Sequence, residues 1–211
     1  MTPQAALERG LGELAPSRMP GHAVERLLGY VELLARWNRV HNLTAIRDPF
    51  RMVSHHVLDS LATLPHLPPG RLADVGSGGG SPGIPIAIAQ PERAVTLNDA
   101  SLKKTAFLRQ AVLELKLVNA EVHAGRVESW RPVERYQVVI SRAFGSLAQF
   151  LAACRHLLAP GGCLAAMKGT FPSRELTQVQ GGMRRCAVHR LRVPLLNAER
   201  HLVLFTPGSA A

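Results

Sequence analysis

The sequence predicts a three-layer α/β fold: a mostly parallel sheet covered by helices, an antiparallel pair of strands at its C-terminal edge, and a helical extension at its N-terminus. Three observations predict it. Short apolar runs alternate with stretches of helical period from Leu72 to Phe205, as strand–helix crossovers require. A cluster of glycines directly follows the first apolar run and opens a helical stretch. The chain before that run carries helical spacing.

Residues 22–39 place Val24, Leu27, Leu28, Val31, Leu34 and Trp37 at steps of three and four, one apolar face of a helix. Asp48-Pro49 reads as an N-cap and a first-turn proline. Phe50, Val53, Val57, Leu58, Leu61 and Leu64 continue the pattern. Residues 1–65 are therefore expected to be a helical extension, too short to be comfortable alone and packed on the main domain, residues 66–211. Pro65 to Gly70 is a punctuated linker. Strands are expected at Leu72–Val75, Val95–Leu97, Ala120–Val122, Val138–Ile140, Cys163–Met167 and Leu202–Phe205. Helices are expected at 83–90, 101–116, 146–158 and 173–181. Strands near 186–193 and 201–205 follow each other without a helix and form the antiparallel edge pair.

The chain has 211 residues, 46% apolar and 19% charged, with a formal charge of +10. That balance argues against a transmembrane protein, a disulfide scaffold, a fibre or an acidic enzyme without a partner. Of 25 basic side chains 21 are Arg. Residues 1–70 are net +1, 71–170 net +5 and 171–211 net +4. Guanidinium forks suit phosphate, although a GC-rich coding bias and simple solubility account for the same excess. Three cysteines, at 154, 163 and 186, form neither a disulfide framework nor a zinc motif. Met1 to Met19 lacks the apolar run of a secretion signal, and no stretch is long enough to span a bilayer. A reducing cytoplasm is expected.

The central motif is Asp74-Val-Gly76-Ser77-Gly78-Gly79-Gly80-Ser-Pro-Gly83. Following a strand and opening a helix, it has the context of a nucleotide-binding loop. Glycine permits a tight turn and close approach of a ligand, and the helix N-terminus offers unpaired N–H groups. No Lys-Ser/Thr follows, so it is not an ATP-type P-loop. Asp74, two residues before the first glycine, suits a ligand with a positive end, such as the amino and sulfonium groups of S-adenosylmethionine. Asp99 ends the second strand, where an acid takes ribose hydroxyls or simply caps the next helix. Asn98 assists it or ends the strand.

Other groups gather at the same sheet edge. Gly125-Arg126-Val127-Glu128 follows the third strand and is either an adenine-contacting loop or an ordinary turn. Arg142, in Ser141-Arg142-Ala143-Phe144 after the fourth strand, is placed to meet a methionine carboxylate, a substrate phosphate or a base. Lys168 ends the next strand and is placed to hold an RNA phosphate. Either residue also reads as a solvated strand end. Nucleophile and metal readings are poor. His55 and His56 are adjacent and cannot both face one site from a helix. His56 and Asp59 have the spacing of a pair. Cys154 lies in a Leu/Ala-rich helix and reads as core.

On these residues the sequence resembles the bacterial 16S rRNA guanine-N7 methyltransferase G family (RsmG, also called GidB or glucose-inhibited division protein B). The resemblance covers roughly residues 28–206. It rests on Trp37-Asn38 with Asn42-Leu43-Thr44-Ala45-Ile46, on His56-Val-Leu-Asp59-Ser60-Leu61, and on the glycine loop through Ile84-Pro85. Asp99 with Lys103-Lys104 and Phe107-Leu108, Gly125 to Glu128, Ser141-Arg142-Ala143, Met167-Lys168-Gly169 and Glu199 to Val203 complete it.

The resemblance implies a Rossmann-like methyltransferase that transfers a methyl group from S-adenosyl-L-methionine to N7 of guanine 527, in the 530 loop. The implied partner is 16S rRNA or the 30S subunit, met by a monomer without membrane or metal. Cofactor contacts would fall on Gly76, Ser81, Asp99, Val127, Glu128 and Arg142, beside Asp74 and Gly78 from the loop itself. Three positions depart from the family: Ser81 stands where Phe or Leu is common, Gly79 where Ala or Pro is, and Val127 where Ala is. Gly79 is expected to loosen the loop. Guanine N7 carries a lone pair, so no essential nucleophile is expected; Arg142 and Lys168 are expected to position RNA or cofactor. His56 and Asp59 would brace the junction with the helical extension. The charge predicts a basic rim around the Asp74/Asp99 pocket mouth. Two alternatives stand beside this reading: a methyltransferase acting on a protein or small molecule, and a non-catalytic RNA-binding protein of ribosome assembly.

Overall fold

The computed structural model describes residues 1–14, 19–179 and 182–208. Seven strands form one sheet in the order β3-β2-β1-β4-β5-β7-β6. Strands β1 (Leu72–Val75), β2 (Val95–Asp99), β3 (Ala120–Ala124), β4 (Tyr136–Arg142) and β5 (Leu158–Lys168) run parallel. β7 (His201–Pro207) runs antiparallel to β5, and β6 (Met183–Arg190) antiparallel to β7. The order reverses between β1 and β4, which opens a crevice at their carboxyl ends.

Every expected strand is present, and one is shifted. The first edge strand spans Met183–Arg190 rather than 186–193. The strand carries a register shift between Arg185 and Ala187, and beyond its end Leu191 and Val193 pack into the core from a loop. The helix expected at 146–158 ends at Cys154, because Leu157 and Leu158 turn inward to begin β5. The other helices are α5 (Gly83–Ala89), α6 (Leu102–Glu114), α7 (Leu147–Cys154) and α8 (Ser173–Thr177). The helix expected to reach residue 181 stops at Thr177, and residues 180–181 lie outside the described residues.

The N-terminal part is helical. α1 spans Pro3–Leu14 and α2 Ala23–His41. α3 (Pro49–Met52) continues through a π-helical stretch, Val53–Leu58, into α4 (Asp59–Leu61). Asp48 caps this run, its carboxylate accepting from the Phe50 N–H at 3.0 Å.

All seven residues of α5 are buried. A helix that is apolar all round needs cover on both sides. The sheet supplies one side through Leu97 and Ile140; Leu27, Leu34 and Leu61 from the N-terminal helices join the same cluster. The N-terminal helices and the sheet thus share one continuous core. On the other face Ala73, Val75, Val139, Phe150, Leu151 and Phe205 form a second core under α7.

Candidate active site

The chain leaves β1 through left-handed turns at Gly76 (φ 71°) and Gly78 (φ 57°), conformations that side-chain-bearing residues avoid. A Cβ on Gly76 would meet nothing closer than Phe144, at 3.8 Å, so its backbone is open to a ligand. Gly79 behaves differently. A Cβ there would lie 3.1 Å from Leu34 of α2, and the Tyr30 hydroxyl donates to its carbonyl oxygen at 2.7 Å. Helix α2 pins the loop at this point, so the expectation that Gly79 loosens it is corrected.

Asp99, at the end of β2, is 6% exposed. Its Oδ2 accepts from the Gly78 N–H at 3.0 Å and its Oδ1 from the Ser101 N–H at 2.9 Å. It thus ties the glycine loop to the start of α6 while lining the crevice. Lys104 Nζ stands 3.7 Å from Oδ2. Asp74 is fully buried; its Oδ2 accepts from the Gly83 N–H at 2.8 Å, and its Oδ1 has no hydrogen-bond partner. Burial pushes its pKa up to about 6, against the pull of the Gly83 N–H.

The crevice is a cleft of about 300 Å³. Gly76, Asp99, Val127, Glu128, Arg142 and Phe144 all line it. Asn98 Nδ2 donates to the carbonyl oxygens of His123 and Gly125, at 3.2 and 2.9 Å, which fixes the turn that carries Val127 and Glu128. Larger hollows exist, such as one of about 630 Å³ between α2 and α6. That hollow is lined by neither the glycine loop nor Asp99.

Arg142, at the end of β4, reaches from the cleft into the N-terminal helices. Its Nη1 donates to the His55 carbonyl oxygen at 2.6 Å and to Asp59 Oδ2 at 3.3 Å. Its Nη2 donates to His56 Nδ1 at 2.8 Å. Guanidinium only donates, so His56 Nδ1 accepts and the proton sits on Nε2, 3.0 Å from Thr44 Oγ1. Burial, then the Arg142 charge, lowers the His56 pKa to about 3 and keeps the ring neutral. Asp59 is 1% exposed and also pairs with Arg200, Nε to Oδ1 at 3.2 Å. His56 and Asp59 therefore do not pair with each other as their spacing suggested. His56 in the π-helical stretch and Asp59 at the start of α4 both face one guanidinium, which joins them. Of Arg142's five N–H groups, Nε and one on Nη2 remain for a ligand.

The family profile for rRNA small subunit methyltransferase G (GidB) matches residues 23–203. The chain belongs to this family. It is 53% identical to the Ribosomal RNA small subunit methyltransferase G of Laribacter hongkongensis, over 93% of this chain and 92% of that protein. It is 50% identical to the protein of the same name from Methylobacillus flagellatus, over 97% and 98%. Among solved structures, the glycopeptide N-methyltransferase MtfA complexed with S-adenosyl-L-methionine superposes with a TM-score of 0.61 at 12% identity, over 73% of this chain and 88% of that one. A complex of DhpI with SAH gives 0.54 at 16% identity, over 86% and 98%. These two share the Rossmann-like fold. As a member of the rRNA small subunit methyltransferase G family, the chain is an S-adenosylmethionine-dependent methyltransferase.

Of the residues expected at the site, the cleft wall brings together Gly76, Asp99, Val127, Glu128 and Arg142. Gly78 and Asp74 lie behind it and shape the loop. Ser81 turns away: its Oγ is 2.9 Å from Ser60 Oγ and donates to the His56 carbonyl oxygen. Lys168 is one strand over, its Nζ held by Glu175 at 2.9 Å and by the Gly145 carbonyl oxygen at 3.1 Å. The mouth carries Lys104, Arg126 and Arg142 against Asp99 and Glu128, so the rim is mixed in sign. Further cations lie along the same sheet edge at Lys168 and Arg190, through the register Lys168↔His201↔Arg190.

The sequence reading missed Tyr30 and gave Arg200 no role. Tyr30 falls three residues after Leu27 on the apolar face of α2, and a buried phenol needs a polar partner. Arg200 had no local signal, since its partner Asp59 is distant in the chain. Cys154 is buried as expected, and burial pushes its thiol up to about 12.

Proposed function

We propose that this chain transfers the methyl group of S-adenosyl-L-methionine to N7 of guanine 527, in the 530 loop of 16S rRNA, in the bacterial cytoplasm. The observation that carries the cofactor site is the pairing of an open Gly76 backbone with the Asp99 carboxylate across one cleft. Bound there, S-adenosylmethionine supplies a methyl activated by its sulfonium. Asp99 keeps lone pairs for the ribose hydroxyls beyond those given to Gly78 and Ser101. The Val127–Glu128 turn flanks the adenine. The free donors of Arg142 meet the methionine carboxylate or an RNA phosphate.

N7 attacks through its own lone pair, so the chain has no proton to remove. Its contribution is alignment of two reactants. Neutral His56 and the Asp59 carboxyl group hold Arg142 in one orientation at the cleft wall. The guanine gains positive charge as the methyl arrives, and the carboxylates lining the cleft favour that charge.

Methylation of 30S subunits from a strain lacking its own enzyme, with mass mapping of the product, tests the reading. A single N7-methylguanine in the 530 loop is expected. A methyl group elsewhere in the rRNA, or none, overturns it.

A further inference from the structure

Among the described residues, every Phe, Tyr and Trp is buried or half-buried except Phe171, which is 48% exposed. An aromatic ring half in water has a face free to stack on a ligand. Phe171 lies in the loop between β5 and α8, which the fold fastens at several points. The Gly169 carbonyl oxygen lies 3.3 Å from His201 Nδ1. Lys168 and Glu175, at the loop's two ends, are paired, and they grip the neighbouring loop at the Gly145 carbonyl oxygen and the Leu147 N–H. That neighbouring loop carries Ala143 and Phe144 of the cleft wall. The Phe171 ring packs at 80° to the His201 ring, centroids 5.7 Å apart. This edge-on contact braces the ring and leaves ring surface in water.

The segments flanking Phe171 and its partner His201 carry more cations than carboxylates: Lys168, Arg174, Arg190, Arg192 and Arg200 against Glu175 and Glu199, with Arg200 turned to Asp59. A rigid aromatic among cations fits a nucleobase, whose face stacks and whose phosphates need positive charge. β5 is the strand next to β4, about 4.8 Å away, so the ring stands beside the cleft rather than in it.

We propose that Phe171 is a stacking platform for the nucleobase next to the target guanine in the RNA substrate. This rests on the reading that the cleft methylates rRNA. The platform would hold the substrate loop open and fix its register on the cleft.

Full-length wild type, Phe171→Ala, Phe171→Leu and Phe171→Tyr, assayed on unmethylated 30S subunits and titrated with a synthetic 530-loop RNA hairpin, test it. Loss of one base–aromatic stack corresponds to roughly a tenfold or greater weakening. The expected result is a KM for 30S and a Kd for the hairpin raised about tenfold in the Ala and Leu variants. Phe171→Tyr should stay close to wild type, and S-adenosylmethionine affinity and Tm should be unchanged in all. A Leu variant equal to wild type, an Ala variant with unchanged RNA affinity, or a wild type that ignores the hairpin overturns the proposal. So does a wild-type dimer that Phe171→Ala converts to monomer, which would assign the ring to a contact between copies. A wild type that binds the hairpin but leaves 527 unmethylated removes the proposed function alone; the hairpin titration still decides the role of Phe171.

Discussion

The Tyr30 hydroxyl donates to the carbonyl oxygen of Gly79 at 2.7 Å, across 49 residues of chain. A helix outside the sheet thereby holds the glycine loop from behind. Burial pushes the phenol pKa far above its ordinary value, so it remains a donor at any working pH. Tyr30→Phe leaves a buried carbonyl unpaired, which costs about 1–2 kcal/mol. Urea unfolding should show that loss. Titration calorimetry should show S-adenosylmethionine binding weakened several-fold, because Gly79 is free to move.

Asp59 is clamped between Arg142 at the end of β4 and Arg200 just before β7. Asp59→Ala strands two partly buried guanidiniums, and breaking such a cluster typically costs about 3–5 kcal/mol. The expected outcome is a large fall in the denaturation midpoint. Methylation by the folded fraction should fall as well, since Arg142 loses its orientation. A variant as stable as wild type would show that the ion cluster does not hold the helices to the sheet.

Asp99 has two duties: acceptor for Gly78 and Ser101, and a carboxylate facing the cleft. Asp99→Asn keeps an acceptor oxygen but loses the charge and half the acceptor capacity. Calorimetry should find S-adenosylmethionine affinity reduced at least about tenfold, the order of one charge-assisted hydrogen bond. The circular dichroism spectrum should be unchanged. Unaltered affinity would remove Asp99 from the cofactor site.

The neutral His56 makes stability depend on pH. Its folded pKa is lowered from 6.5 to about 3. The unfolded chain therefore binds the extra proton across that window. The contribution of His56 is complete above pH 6.5 and is lost as pH falls toward 3, by at most about 1.4 kcal/mol per unit. Asp74, pushed up from 3.8 to about 6, works in the opposite sense: its contribution is complete below pH 3.8 and is lost as pH rises through 6. Comparing wild type with His56→Gln cancels the Asp74 effect. The Gln variant should lose less stability than wild type between pH 6.5 and 5, measured by urea midpoints.

Much of the cleft is legible in the sequence, because its parts are local. A glycine run after an apolar strand, and an acid at the end of the next strand, announce themselves by spacing. Gly76, Asp99, Val127, Glu128 and Arg142 line one cleft because parallel strands bring their carboxyl ends to one edge. Ser81 and Asp74 were harder. They sit in the right motif, but side-chain direction depends on what packs behind the loop. Ser81 meets Ser60, and Asp74 meets the start of α5.

The alternation of strands and helices, the glycine loop, the acid at the second strand end and the basic balance of the later chain are all written in the amino-acid order. These follow from backbone conformation and apolar periodicity, which act over a few residues. That His56 and Asp59 meet through Arg142, that Arg200 completes the clamp and that Tyr30 pins Gly79 emerges only in three dimensions, as does the exposure of Phe171. The contacts join groups far apart in the chain, and they exist only once the shared core has set the helices against the sheet.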